Sequence, residues 1–109
     1  MIIEFLSIPV QRGKRAEFAK ALAALVDPIQ LQPGCLGCRL FESWPSQERL
    51  QIQVRWDSHE HLVRYLQSQI YKKLLLFMEL SPAPPTVEFF LVVEERGLDL
   101  VASSRTSPE

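Results

Sequence analysis

The chain has 109 residues, 47% of them hydrophobic, and 12 basic side chains against 13 acidic ones for a net charge of −1. This length suits a single domain, and the apolar content is sufficient for a core. The balanced charge argues against binding to the phosphate backbone of nucleic acids, which usually requires a basic face. No stretch approaches the roughly 18 consecutive apolar residues of a membrane span. The N-terminus also lacks the basic lead and cleavage site of a signal peptide. We therefore expect a cytoplasmic protein with reduced cysteines and with no nucleic-acid or membrane partner.

The first half of the chain predicts a strand, a helix and a hairpin. Residues 2–10 form a short apolar run rich in β-branched side chains, which is typical of a strand. Over residues 14–29 the apolar side chains recur at helical spacing, opposite a basic and acidic face. Extended runs follow at 38–44 and 49–56, and the segment 45–48 that joins them suits a hairpin loop.

The second half begins with a helical pattern. Asp57 or Ser58 has an acceptor side chain that can cap a helix start. Apolar residues between Leu62 and Phe77 then mark helical faces, and the pattern predicts two pieces broken near residues 67–68.

The last part of the chain predicts a strand and a tail. A proline-rich connector at 81–85 leads into a strand at 86–95. Residues 98–102 are expected to form a short edge segment, and residues 103–109 a frayed C-terminal tail. The order β-α-β-β-α-β is that of a ferredoxin-like α+β fold, an antiparallel sheet with its helices on one face. We expect a single domain over residues 1–102.

Two strands have apolar residues on both faces, which predicts a homodimer. The first strand carries Ile3 and Phe5 on one face and Ile2, Leu6 and Ile8 on the other, and residues 87–93 repeat this pattern. Such strands are normally covered on both sides. Because no further helices are predicted, a second copy of the chain is the simplest cover. The alternative is that these residues are tolerated singly on the surface.

Four short motifs resemble a known family. They are Pro-Gly-Cys-Leu-Gly at 33–37, Arg-Leu-Phe-Glu-Ser at 39–43, Val-Arg-Trp-Asp-Ser at 54–58 and Leu-Gln-Ser at 66–68. Over residues 1–95 the chain resembles the antibiotic-biosynthesis-monooxygenase type of dimeric α/β-barrel proteins. The resemblance implies a dimer of ferredoxin-like units whose sheets form a barrel, with a pocket between the sheet and the two later helices. It also implies oxidation of quinol-like aromatics by O₂ without a bound cofactor, or haem degradation.

Two departures from the family pattern narrow the function. Family members often carry a histidine before the Leu-x-Ser turn, where this chain has Arg64 or Tyr65. The haem-degrading branch resembles an Asn–Trp–His set. Trp56 matches its tryptophan, but the first strand offers Glu4 and Ser7 in place of asparagine. Haem degradation is therefore not expected.

The candidate catalytic residues surround the end of the third strand. The indole of Trp56 could stack on an aromatic substrate or donate its N–H, although it could equally be a core residue. His61 could move protons near neutral pH, whereas solvation at the helix start is the plainer interpretation. His59 and His61 diverge by about 200° on a helix and cannot share a metal on one face. Arg64 and Tyr65 complete the set, as groups for protons or anionic intermediates.

The sequence gives less support for a catalytic or binding role of several other residues. Cys35 and Cys38 have the spacing of a redox or zinc motif, but no second pair exists and extended Cα atoms would lie about 10 Å apart. Another candidate is the polar stripe of the second hairpin strand, which Glu4 could face, and it consists of Arg49, Gln51, Gln53 and Arg55. The stripe could be an interchain polar network, the lining of a hydrophilic pocket or a solvent-facing sheet edge. The expected substrate-binding residues are Tyr71, Leu62, Leu66 and Phe77.

The sequence thus supports two hypotheses of different classes. The first is a cofactor-independent monooxygenase that acts on a small electron-rich, quinol-like aromatic and binds no metal. The second is a non-catalytic dimeric binding module for a small apolar metabolite or a protein partner. A pocket beside Trp56 favours the enzyme, and a filled core favours the binding module.

Overall fold

The structure, a computed structural model, describes residues 1–106. It contains four strands and four helices in the order β1 (Ile2–Pro9), α1 (Arg15–Gln30), β2 (Cys35–Glu42), β3 (Arg49–Trp56), α2 (His59–Leu66), α3 (Gln69–Glu79), β4 (Thr86–Leu91) and α4 (Leu98–Thr106). No helix in this part of the chain is long and apolar enough to cross a membrane.

The four strands form one open antiparallel sheet in the order β2-β3-β1-β4. The register pairs Glu4 with Val54 of β3 and with Phe89 of β4, and it pairs Ile2 with Trp56. Side chains alternate between the two faces of a strand, so these residues share one face. The predicted ferredoxin-like α+β fold is confirmed.

The core lies between this face of the sheet and the helices. β3 contributes its alternate apolar residues, which end in Trp56, and α1 contributes the buried Leu22, Leu25 and Ile29. The opposite face of the sheet, called the open face below, carries the Arg and Gln residues of β3 together with Phe5, and no helix of residues 1–106 buries it. The amphipathic patterns of β3 and α1 therefore place each element as the sequence predicted.

The break between α2 and α3 also lies where the sequence predicted it. Ser58 caps α2 by accepting a hydrogen bond from the backbone N–H of His61 at 3.3 Å. Ser68 caps α3 by accepting from Tyr71 N–H at 3.2 Å, while its hydroxyl donates to the carbonyl of Tyr65 at 2.7 Å. These bonds satisfy helix-terminal groups and fix Tyr65 and Tyr71 on the two sides of one turn.

The strand bounds of β2 and β4 differ from those predicted. β2 begins at Cys35 rather than at residue 38, and its register shifts between Cys35 and Gly37. β4 ends at Leu91 rather than at residue 95. Leu91 pairs with Ile2, the first residue of β1, and one backbone hydrogen bond, from Val92 N–H to the Met1 carbonyl at 2.8 Å, lies beyond this pair.

The prediction of an edge segment at 98–102 is wrong, because these residues begin α4. Asp99 lies in the first turn and accepts a hydrogen bond from Gly97 N–H at 2.9 Å, and Arg105 lies in the last turn. Both charges complement the helix dipole. The helix continues to Thr106, into the predicted tail, and the remainder of that tail lies outside the described residues.

Candidate functional site

A cluster of aromatic side chains and one carboxyl group lies between the sheet and the α2–α3 pair. Trp56 and Tyr65 have ring centroids 4.6 Å apart, and Tyr65 and Tyr71 meet edge to face at 5.1 Å. The hydroxyl of Tyr71 donates a hydrogen bond to Oε2 of Glu4 at 3.0 Å. We call Glu4, Trp56, Tyr65 and Tyr71 the buried cluster. It connects β1, β3, α2 and α3.

Glu4 dominates the electrostatics of the cluster. It is the one buried polar or charged residue among residues 1–106 and is fully shielded from solvent. Burial raises the pKa of its carboxyl from 4.5 to about 7, and the hydrogen bond from Tyr71 offsets part of that rise. The carboxyl group therefore exchanges its proton near neutral pH, where a general base is most useful.

Three polar atoms of the cluster are buried without a hydrogen-bond partner in the described chain. They are Oε1 of Glu4, Nε1 of Trp56 and the hydroxyl of Tyr65. Such atoms are uncommon because each one costs about 1–3 kcal/mol when buried and unpaired. One unpaired acceptor and two unpaired donors in one cluster of contacting side chains are therefore a feature that folding alone does not explain.

Cys38 lies on the same face of the sheet as Glu4, whereas Cys35 is partly exposed at the start of β2. Both cysteines are free. Burial, with smaller contributions from Cys35 and Glu4, raises the pKa of Cys38 to about 12. Cys38 is therefore held as a neutral thiol, which is unreactive. No group of three or more His, Cys, Asp or Glu side chains in residues 1–106 is arranged to hold a metal ion.

An apolar groove of about 510 Å³ lies beside the cluster. It runs between α2 and β4, and its lining consists of Ile2, His59, Leu62, Val63, Leu66, Phe89 and Leu91. Trp56 does not line the groove. Two of its lining residues are neighbours of the cluster, since Ile2 pairs with Trp56 across the β1–β3 ladder and Leu62 precedes Tyr65 by one helical turn.

The structure brings together some of the predicted site residues but not others. Trp56, Tyr65 and Tyr71 belong to the buried cluster, and Leu62 and Leu66 line the groove. The remaining three predicted residues lie elsewhere. Arg64 is exposed on α2. Phe77 packs edge to face on Phe18 of α1, with ring centroids 5.2 Å apart.

His61 points away from the cluster, toward the loop before β2. Its Nδ1 lies 2.7 Å from Oδ1 of Asp57, and this hydrogen bond is the largest cause of a lowered pKa of Asp57. The imidazole also packs over Gly34, whose φ is +81°. His61 thereby holds the end of β3 against the start of β2, while His59 faces the groove.

Substitution of Gly34 by alanine is expected to lower the free energy of unfolding by about 1–2 kcal/mol or more. A positive φ is unfavourable for any residue with a Cβ, and a Cβ at Gly34 would overlap the ring of His61. Urea unfolding at fixed protein concentration measures the change. The matched control is Gly37→Ala, where a Cβ meets nothing within 4 Å. Equal effects of the two substitutions would contradict this role of Gly34.

The polar stripe of β3 lies on the open face, as its alternation predicted, but Glu4 does not face it. The expectation that Glu4 joins the stripe is wrong, because Glu4 shares the helix-covered face with Val54. Arg55 instead bonds Glu95 at 2.8 Å, and Nε of Arg49 donates to the hydroxyl of Ser7 at 2.7 Å.

Glu4 is the functional candidate that the site prediction missed. The signal was present in the alternation of β1, where Ile2, Glu4, Leu6 and Ile8 occupy every second position and share one face. A carboxyl group in an otherwise apolar strand face marks a buried titratable group.

Comparison with known proteins agrees with this fold. The family model described as "Antibiotic biosynthesis monooxygenase" matches residues 1–75. No curated protein sequence matches the chain. A Bordetella bronchiseptica structure described as a candidate antibiotic biosynthesis monooxygenase is 28% identical, with a TM-score of 0.71 and coverage of 85% of this chain and 97% of its own.

Two further solved structures share the fold at lower identity. One is Rv0793 from Mycobacterium tuberculosis, 21% identical with a TM-score of 0.77, covering 88% of this chain and 98% of its own. The other, from Deinococcus radiodurans, is also described as a candidate antibiotic biosynthesis monooxygenase. It is 13% identical with a TM-score of 0.80, covering 89% of this chain and 97% of its own. The family match spans more than half of the sequence, and this chain belongs to the antibiotic biosynthesis monooxygenase family.

Proposed function

We propose that this protein is a monooxygenase that uses O₂ and no bound cofactor to oxidise a small, electron-rich, quinol-like aromatic. Family membership supports a monooxygenase-like role. The observation that carries the finer proposal is the buried cluster, in which a carboxyl group that titrates near pH 7 lies among aromatic rings. Proton removal makes a phenolic ring a much better electron donor, so a base among aromatic side chains suits this chemistry.

The proposed reaction balances without an external reductant. The substrate loses two hydrogen atoms and gains one oxygen atom, and the second oxygen atom leaves with those hydrogens as water. The substrate supplies all four electrons that reduce O₂. The protein has only to bind the ring, accept a proton and exclude bulk water.

The groove supports the choice of an aromatic substrate. Its walls are nearly all apolar, and its volume of about 510 Å³ is within the usual range for small-ligand sites. Leu62, on the groove wall, lies one helical turn before Tyr65 of the cluster. A ring bound in the groove therefore lies next to residues that adjoin the cluster, and the proposal requires Ile2 and Leu62 to move for the ring to reach Glu4.

Oxygen-isotope labelling tests the proposal. The purified protein is mixed with 1,4-dihydroxynaphthalene under ¹⁸O₂, and the products are identified by mass spectrometry. We expect hydroxynaphthoquinone with one ¹⁸O atom and water as the coproduct, at a rate above that of a protein-free sample. Formation of naphthoquinone and hydrogen peroxide at the protein-free rate would refute the monooxygenase proposal.

One observation favours a second candidate, a non-catalytic binding module for a small apolar metabolite or a protein partner. Trp56 and Tyr65 are 0% and 1% exposed, and Trp56 does not line the groove. A protein of this kind would bind naphthols in the groove without any O₂ consumption. The labelling experiment, run beside a binding titration, separates the two candidates.

A homodimer is part of the proposal. On the open face of the sheet, Phe5 and Phe90 are 37% and 47% exposed and pack edge to face with centroids 5.5 Å apart. Every residue of the edge strand β4 is exposed, although Phe89 and Leu91 point to the opposite face and line the groove. An exposed aromatic pair on a sheet face that no helix buries usually marks an interface. The two free cysteines suit a reducing compartment, and we propose a cytoplasmic location.

Sedimentation equilibrium at micromolar concentration tests the dimer. The wild-type protein is expected to have twice the mass of one chain, and the double variant Phe5→Lys/Phe90→Lys the mass of one chain. Leu31→Lys is the matched control, because Leu31 is exposed at the end of α1, away from the open face. A wild-type protein with the mass of one chain would refute the dimer.

A further inference from the structure

Glu4 has an unusual position for a structural residue. It lies in the middle of the sheet, between Val54 and Phe89 on the neighbouring strands, on the face that the helices cover. Only one of its oxygen atoms is used within the described chain, since Oε2 accepts from Tyr71 whereas Oε1 is buried without a donor. A carboxyl group kept for packing alone would be replaced at little cost by an apolar residue.

The two other unpaired polar atoms lie in the same cluster. The Nε1–H of Trp56 and the hydroxyl of Tyr65 can both donate, and neither has an acceptor among residues 1–106. The Tyr65 hydroxyl is close enough to Glu4 for the carboxylate charge to contribute to a raised pKa of Tyr65, second to burial. It nevertheless makes no hydrogen bond to Glu4. The cluster thus has one acceptor and two donors that no residue among 1–106 satisfies.

We propose that Glu4 is the catalytic base of this site: Oε1 accepts the proton of a phenolic substrate hydroxyl, and Trp56 Nε1–H and the Tyr65 hydroxyl bind the oxygen. This inference rests on the proposed function for its substrate class. In the step, the substrate O–H bond breaks, its electron pair stays on the phenolate oxygen, and the proton forms a new O–H bond on Glu4. The resulting phenolate is the electron donor that O₂ then oxidises.

Charge conservation makes this step feasible in a buried site. Before transfer the cluster holds one negative charge on the Glu4 carboxylate, and afterwards it holds one on the phenolate oxygen. Because no net charge is buried in the step, the large cost of desolvating a new ion is avoided. Two donors stabilise the phenolate oxygen as an oxyanion site does, and Tyr71 remains hydrogen-bonded to Oε2.

Among the titratable groups of the cluster and its neighbour Cys38, only Glu4 changes its protonation state near neutral pH. Tyr71 of α3, Tyr65 of α2 and Cys38 of β2 face it, and burial is the largest cause of a raised pKa for each. All three therefore stay neutral at pH 5–9. The buried residues of α1 are apolar, and no buried basic side chain lies in residues 1–106.

Anaerobic binding of 2-naphthol tests the proposal, because naphtholate absorbs at longer wavelength than naphthol. At pH 8 free 2-naphthol is neutral while Glu4 is ionised. We expect the bound ligand to show the naphtholate spectrum, with a naphtholate fraction that rises through about pH 7. Glu4→Gln keeps the size of the side chain and an acceptor for Tyr71, and it should abolish the naphtholate signal and weaken binding at pH 8 about tenfold or more.

Two further variants show whether an effect of Glu4→Gln comes from the lost carboxylate or from misfolding of the variant. Tyr65→Phe removes one donor and leaves Glu4 in place, so the naphtholate fraction should fall without vanishing. Glu79→Gln, at an exposed position on α3, should bind 2-naphthol as the wild type does. An unchanged naphtholate spectrum in Glu4→Gln would overturn the proposal. So would neutral 2-naphthol bound to the wild type at pH 8, or no binding at all.

Failure of this inference is distinguishable from failure of the proposed function. If bound naphthol is deprotonated only when Glu4 is present, but no ¹⁸O enters the product of dihydroxynaphthalene, Glu4 is a base and the monooxygenase proposal is refuted. If the Glu4→Gln variant incorporates ¹⁸O at the wild-type rate and with the wild-type pH profile, the monooxygenase proposal stands and the catalytic base is another group.

Discussion

Replacement of Trp56 by alanine is expected to lower the free energy of unfolding by about 3–5 kcal/mol. The indole is completely buried at the end of β3 and packs on Tyr65 at 4.6 Å, so its loss leaves a cavity between the sheet and α2. No hydrogen bond is lost with it, because Nε1 has no partner in residues 1–106. The effect is therefore one of packing, and urea unfolding at fixed protein concentration measures it.

The chain contains its own control for this substitution. Trp44, in the loop between β2 and β3, is 83% exposed, and Trp44→Ala should change the free energy of unfolding by less than about 0.5 kcal/mol. Trp56→Phe keeps a ring against Tyr65 and should cost less than Trp56→Ala. Similar losses of unfolding free energy for Trp44→Ala and Trp56→Ala would show that packing of Trp56 does not stabilise the core.

Local patterns in the sequence were sufficient to predict most of the fold. The strict alternation of β3 placed Trp56 on the buried face, since side chains of a strand point alternately to its two sides. The polar pair before Gln69 predicted the break at which Ser68 caps α3. The end of β4 depends on where β1 begins, which is a long-range pairing that no local pattern shows.

The candidate site was only partly predictable for the same physical reason. Alternation along β1 places Glu4 among buried residues, but its partner Tyr71 is 67 positions away and comes close only through the α2–α3 turn. Conversely, His61 and Arg64 are suitable residue types at plausible positions. Their direction depends on the rotation of α2, which turns His61 toward Gly34 and Arg64 toward solvent.

The protein is expected to lose stability as the pH rises from 4.5 to 7, because of Glu4. Its folded-state pKa is raised from 4.5 to about 7, chiefly by burial, so in this window the folded protein retains a proton that the unfolded chain releases. The stabilising effect of that proton is fully present below pH 4.5 and absent above pH 7. The shift corresponds to about 3 kcal/mol.

Glu4→Gln removes this titration and isolates it from every other group. Relative to the wild type, the variant should gain about 3 kcal/mol between pH 4.5 and pH 8, as urea unfolding at both values would show. The exposed Asp57 and Asp99 have lowered pKa values, through hydrogen bonds from His61 and from Gly97 respectively, and they titrate below this window. Glu79→Gln is the matched control and should keep the wild-type difference between the two pH values. If Glu4→Gln keeps it as well, Glu4 is solvated in the folded protein, and neither its burial nor its role as a base near neutral pH holds.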